Sequence, residues 1–213
     1  MEPLYFVAGA LNNYMGRFNY TDRNSDALDR YFRLEDDLRN YVNEYIYRHF
    51  EIQPEVNERG DTFSRPIAEK LNALYSGKGV IITDSLNTEN KLYSYIAGLY
   101  LRYGRKLAEN CYLIKKPNSL NIKHVYEIIK TGGTKAYYEC LNTLPAQHLI
   151  CFRPDPELAA YIEFIASDAA LLREKFNQKF IEFLGTDVAL MLSNNNYEEK
   201  MAKELIEKLD AVQ

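Results

Sequence analysis

The chain has 213 residues, 26 basic and 30 acidic side chains, a formal charge of −4 and 46% apolar residues. A chain of this size buries roughly 70% of its unfolded surface on folding, so a core forms without a metal or disulfide staple; collagen-like, disordered and small disulfide-stapled classes are excluded. The central apolar stretch 95–101 contains Gly98 and falls far short of the ~20 residues that span a bilayer, so no membrane partner is expected. Glu2 and Pro3 directly follow Met1, which reads as the absence of an export leader. Cys111, Cys140 and Cys151 match no zinc or redox spacing, and reduced, buried thiols in a cytoplasmic protein are the expectation.

After a short apolar start at 4–11, Ser25 or Asp26 can cap a long helix over 26–50, with Leu28, Tyr31, Phe32, Leu34, Leu38, Tyr41, Val42, Tyr45 and Ile46 on one wide apolar stripe. The polar stretch 51–64 carries Pro54 and Gly60 and reads as a linker, with a boundary near residue 60. Ser64 ahead of Pro66 opens a helix bearing Ile67, Leu71 and Leu74 that stops at Gly77. The β-branched run 79–84 reads as a buried strand, 90–108 as a helix and 111–115 as a second strand. That order makes a βαβ unit with parallel strands, and 147–152 supplies a third strand. From Pro156 the period is helical, with Leu158, Ile162, Ile165, Ala169, Leu172, Phe176 and Phe180 on one stripe. Gly185, a polar break at 193–196 and a last amphipathic helix with Glu199/Lys203 and Glu204/Lys208 pairs follow. The expected fold class is α/β: a small, mostly parallel sheet flanked by helices, with long helices at both ends. The expected organisation is a helical segment 1–60, an α/β core 61–155 and a helical segment 156–213 packing on that core.

The segment 123–135, Lys-His-Val-Tyr-Glu-Ile-Ile-Lys-Thr-Gly-Gly-Thr-Lys, admits two readings. Ile122, Val125, Ile128 and Ile129 fit a helical stripe that Gly132 and Gly133 terminate. Alternatively 124–129 is a strand, Thr131 to Thr134 a strand-to-helix turn, and 135–141 the helix behind it. Such a turn aims several backbone N–H groups and a helix N-terminus at one spot, which is how proteins hold phosphate. Glycines allow close approach and threonine hydroxyls add donors.

In the second reading 125–134 resembles the phosphoribosyl diphosphate loop of the type I phosphoribosyltransferases, where two hydrophobic and two acidic residues and a short spacer precede a Thr-Gly-Gly-Thr-like turn. The strand at 79–84, the helix from Asn90 and Ile114-Lys115-Lys116 occupy the family's remaining places in order, so the resemblance covers 79–152. It implies that Thr131, Gly132, Gly133 and Thr134 hold a 5-phosphate, that Glu127 positions the ribose, and that Lys115 or Lys116 offsets charge on departing pyrophosphate. Asp84 and Ser85 complete the ligand loop with Lys116, and Mg²⁺ arrives only through the substrate. Tyr126 stands in place of the first acidic residue, and Ser85-Leu86-Asn87-Thr88 lacks the usual glycine. The implied function is therefore phosphoribosyl transfer, or a degenerate form that only binds a phosphorylated small molecule. Asp84 also reads, without the resemblance, as a turn acid or helix cap.

A second expectation is non-enzymatic. The helices at 26–50 and beyond 156 exceed what a core of four short strands can cover, which leaves apolar surface for a protein partner or a second copy of the chain. Nucleic acid is the weakest reading. The segment 91–123 sets seven basic residues against Glu109 alone, but a nucleic-acid surface needs a broader positive field. His49, His124 and His148 show no metal-ligand spacing.

Overall fold

The computed structural model describes residues 1–11, 26–76, 80–117, 120–131, 133–185 and 195–212. The chain forms two compact units, Met1–Arg102 and Tyr103–Gln213.

The first unit contains helices α1 (Pro3–Ala10), α2 (Asp36–Phe50), α3 (Arg65–Asn72) and α4 (Glu89–Tyr103), with strands β1 (Ala27–Arg30), β2 (Glu55–Val56) and β3 (Asp61–Phe63). The strands form an antiparallel sheet in the order β1-β3-β2. The long helix expected over 26–50 is therefore a strand followed by the shorter α2, and the stretch 51–64 carries two strands. What redirects the chain is a buried cation. The Arg102 guanidinium, 1% exposed, reaches Asp29 Oδ2 at 2.5 Å and Glu35 Oε2 at 2.9 Å, and it donates to the Ala10 carbonyl at 3.2 Å. Tyr31 lies beneath it, the guanidinium carbon 4.8 Å from the ring centre. Burial, then the Asp29 carboxylate, push the Tyr31 hydroxyl well above its ordinary pKa, so it stays neutral. Glu35 also accepts from the Phe32 N–H at 3.0 Å and closes the turn that starts α2.

Helices α1 and α4 cross backbone to backbone. A Cβ built on Gly9 would clash with the Tyr95 carbonyl, and one on Gly98 with the Phe6 carbonyl. Only glycine leaves this room.

The strand expected at 79–84 does not form: Ile81 makes one isolated bridge to Tyr75, and Thr83–Leu86 is a 3-10 turn. Its intended partner has no free edge. Strand β5 (Cys111–Pro117) lies between β4 (Gly104–Ala108) and β7 (Gln147–Arg153), both antiparallel to it. The βαβ unit is thereby overturned. The helix expected to reach 108 stops at Tyr103, and the chain doubles back through β4, whose hairpin turn holds Asn110 at φ 50°.

The second unit has the sheet order β4-β5-β7-β6, with β6 (Lys135–Leu141) antiparallel to β7. Helix α5 (Leu120–Thr131) joins β5 to β6. All pairings are antiparallel, which replaces the mostly parallel sheet of the expectation; the chain holds seven α-helices among the described residues and two small antiparallel sheets. Helices α6 (Pro156–Leu184) and α7 (Asn195–Asp210) complete the unit. One face of the sheet presents Cys111, Leu113, Leu149 and Cys151 to Met201, Leu205 and Leu209 of α7. The alternate residues Tyr112, Ile114, Ile150 and Phe152 are buried on the other face, where the Tyr112 hydroxyl donates to Glu163 of α6.

Two predictions follow from the first unit. Arg102→Ala leaves two carboxylates without their cation and should cost about 3–5 kcal/mol in urea denaturation, whereas Arg48→Ala, which breaks an exposed i,i+4 pair, should cost under ~0.5 kcal/mol. Equal costs would show that the buried network does not hold the unit. Gly98→Ala should destabilise in the same assay, although alanine is favoured over glycine in a helix by about 1 kcal/mol, because the α1 backbone must move.

Candidate functional site

The residues of the expected anion cradle are distributed in another way. Asp84 is exposed in the 3-10 turn of the first unit, and Ser85 Oγ donates to the Ile82 carbonyl at 2.6 Å. Lys115 and Lys116 sit at successive positions of β5 and therefore point to opposite faces. Lys116 is 5% exposed, with Nζ 4.7 Å from the Tyr103 ring centre. Glu127 lies exposed on α5, because 124–129 is helical and not extended. Thr131 ends that helix, and Gly132 lies outside the described residues. Gly133 takes φ +83° and donates its N–H to the Lys130 carbonyl at 3.1 Å, and Thr134 is buried at the entry to β6. The order is helix, turn, strand. The glycines follow a helix C-terminus, where carbonyls gather partial negative charge, instead of preceding an N-terminus that would attract phosphate. Residues 135–141, expected as a helix, are β6. The terminating-glycine reading is the one that the backbone follows.

The basic segment 91–123 is also divided. Lys91 and Arg102 belong to the first unit and the remainder to the second. Arg102 is consumed by its carboxylates, Lys116 is buried over an aromatic ring, and Lys106 pairs with Glu163 at 3.1 Å. Charge counted along the chain does not become a single positive surface.

Two other features of the second unit combine polar and aromatic groups. Tyr126 of α5, Tyr138 of β6 and His148 of β7 form a ladder with ring centres 5.6 and 6.1 Å apart, and the Tyr138 hydroxyl lies 2.8 Å from His148 Nδ1. Burial lowers the His148 pKa, and the ring and the tyrosine hydroxyl share a hydrogen bond whose direction the tautomer sets. A cleft of about 220 Å³ opens between α7 and the rim of the sheet, with Leu141, Leu149, Met201 and Leu205 in its lining and Glu139, Lys200, Glu204 and Lys208 around it. Its charges neutralise one another: Lys208 meets Glu139 at 2.7 Å and Lys200 meets Glu204 at 3.9 Å.

Helix α6 carries a long apolar stripe. Leu158, Ile162, Ile165 and Ala169 are buried, and the helix is strapped to the hairpin by Tyr112 and Lys106 on Glu163 and by Arg173 on the Gly104 carbonyl. Past Arg173 no residue of the helix is buried. The same stripe continues there through Leu172, Phe176, Phe180 and Phe183, and Phe183 is 65% exposed. Phe176 and Phe180 stack with ring centres 6.1 Å apart and planes 13° from parallel. A 29-residue helix is about 43 Å long, whereas a seven-residue strand spans about 23 Å, so the sheet cannot cover the whole helix. The sequence shows the stripe but not where its cover ends.

Among the described residues no group of three or more His, Cys, Asp or Glu side chains could hold a metal ion, and no helix is long and apolar enough to cross a membrane. No protein-family model matches the chain, and neither does any curated protein.

The ladder gives a titration prediction. In NMR spectra the His148 ring should titrate below 6.5, the ordinary value. The unfolded chain then takes up the proton first, so this histidine's contribution to stability is complete above about pH 6.5 and declines as pH falls below it. A midpoint at or above 6.5 would show the ring solvated and the ladder open.

Proposed function

We propose that the protein is a non-enzymatic interaction protein whose working surface is the distal half of α6, and that this surface pairs with the same surface of a second copy. The observation that carries the reading is the continuation of a single apolar stripe beyond the last buried residue of the helix, where Leu172, Phe176 and Phe180 are only half-buried and Phe183 is exposed. Apolar side chains left in water on one helix face are costly; fully burying an exposed phenylalanine such as Phe183 is worth roughly 1.5–3 kcal/mol, and completing the burial of the half-covered Phe176 and Phe180 is worth less.

A second copy fits better than an unrelated surface because the stripe is self-complementary when two helices run antiparallel. A two-fold axis at Gln178 sets Phe176 of one copy level with Phe180 of the other, and Leu172 with Leu184. It also brings Lys175 within one residue, about 1.5 Å along the helix, of the level of Glu182 in the second copy. Lys179 lies close to the axis and faces its own counterpart, which opposes pairing. Three turns of helix bury less than the ~800 Å² per partner typical of a specific interface, so the dimer is weak and concentration-dependent.

The reading replaces transfer chemistry, since the turn at Gly133 follows a helix C-terminus. Size-exclusion chromatography with light scattering over a dilution series should show a mass rising from monomer toward dimer. Phe176→Ser with Phe180→Ser should hold the chain monomeric at every concentration, and Lys179→Leu should move the transition to lower concentration. A wild-type chain that stays monomeric, or a double variant that still dimerises, would overturn the proposal.

A further inference from the structure

Cys111 and Cys151 lie on the adjacent strands β5 and β7, diagonally placed because Cys151 is level with Leu113, and their sulfurs are 3.7 Å apart. Both are fully buried beneath Met201, Leu205 and Leu209 of α7. That helix is the cover, and it is held at its edges by polar ties: Lys208 to Glu139 at 2.7 Å, Arg153 to Asp210 at 2.9 Å and the Lys135 ammonium to the Asp210 carbonyl at 3.0 Å. All three ties engage the last turn of α7, so the covered thiols lie close to where the helix is anchored by exposed, screened contacts.

We propose that Cys111 and Cys151 are a reversible dithiol switch gated by α7, in which lifting of the helix admits a peroxide that couples the two sulfurs. The Cys111 thiolate attacks one peroxide oxygen; the O–O bond breaks, hydroxide leaves and takes up a proton as water, and Cys111 becomes a sulfenic acid. The Cys151 sulfur then attacks the Cys111 sulfur, the S–O bond breaks and a second water departs, so that two thiols and one hydrogen peroxide give one disulfide and two waters. The two thiols share a hydrogen bond, which lowers the pKa of Cys111 against the opposing effect of burial and raises that of Cys151; the chemistry is the same with the two sulfurs exchanged. A disulfide requires the sulfurs to close from 3.7 Å to about 2.05 Å across a diagonal, where side chains are farther apart than in directly opposed pairs. Thiol–disulfide exchange with a reducing thiol reopens the bond. Closing it also withdraws the sulfurs from Leu205 and Leu209 and weakens the seat of the helix.

Peptide mapping of the reduced full chain after hydrogen peroxide and then N-ethylmaleimide tests this. The expected product is a cross-linked Cys111–Cys151 peptide pair, with exposed Cys140 alkylated and the link removed by dithiothreitol. Lys208→Ala, which deletes one exposed tie and leaves the core intact, should speed cross-linking about two- to fivefold, and Leu205→Ala more than about tenfold. Links formed only through Cys140, sulfinic acid at Cys111 with no link to Cys151, or a rate unchanged by Lys208→Ala would each overturn the proposal.

Discussion

A sheet that is apolar on both faces must be covered on both, and the second unit is arranged around that requirement. Cys111 to Ile114 and Leu149 to Phe152 are buried without alternation, so β5 and β7 admit water on neither side. Helix α7 seals one side and α5 with α6 the other. The cover is unequal in extent. Helix α7, at 16 residues, matches the strands it lies on, whereas α6 is nearly twice as long and outruns them. The surplus of α6 and the tightness of α7 are two consequences of the same small sheet: one leaves Phe183 in water with Phe176 and Phe180 half-covered, the other hides a pair of thiols.

The first unit solves its packing by other means. Its strands are two to four residues long and supply little apolar area, so the unit relies on a backbone-close helix crossing at Gly9 and Gly98 and on one buried cation. Arg102 satisfies a strand carboxylate, a turn carboxylate and a helix carbonyl at once. Removing either carboxylate would leave the charge of Arg102 less well matched, which explains why Asp29 and Glu35 act as a set. Ionic groups in this protein therefore divide by depth: the deep set determines which way the chain turns, and the exposed pairs along the helices contribute little.

Directionality decides what the paired glycines can do. Gly133 follows α5, so the turn meets carbonyl ends and the chain enters a strand. The same Thr-Gly-Gly-Thr letters placed before a helix would meet amide ends and attract an anion. Nothing in the composition of the turn distinguishes the two cases; the backbone state of the preceding residues does, and 124–129 is helical.

The sequence by itself determined the elements whose periodic pattern was long or whose residues were β-branched throughout. The helix ending at Phe50, the helix over 65–72, the strands near 111–115 and 147–152, and the stripe from Leu158 to Phe180 were all legible. Tertiary structure alone decided the remainder. Residues 27–30 became a strand because β3 took their backbone groups and Arg102 drew Asp29 inward, and 104–108 and 135–141 became strands because β5 and β7 offered edges. Pairing is a contact between segments distant in sequence, and a short segment with mixed propensity takes whichever state that contact stabilises. The place where α6 emerges from its cover, and the meeting of Cys111 with Cys151, depend on the same long-range pairing and so were written nowhere in the local pattern.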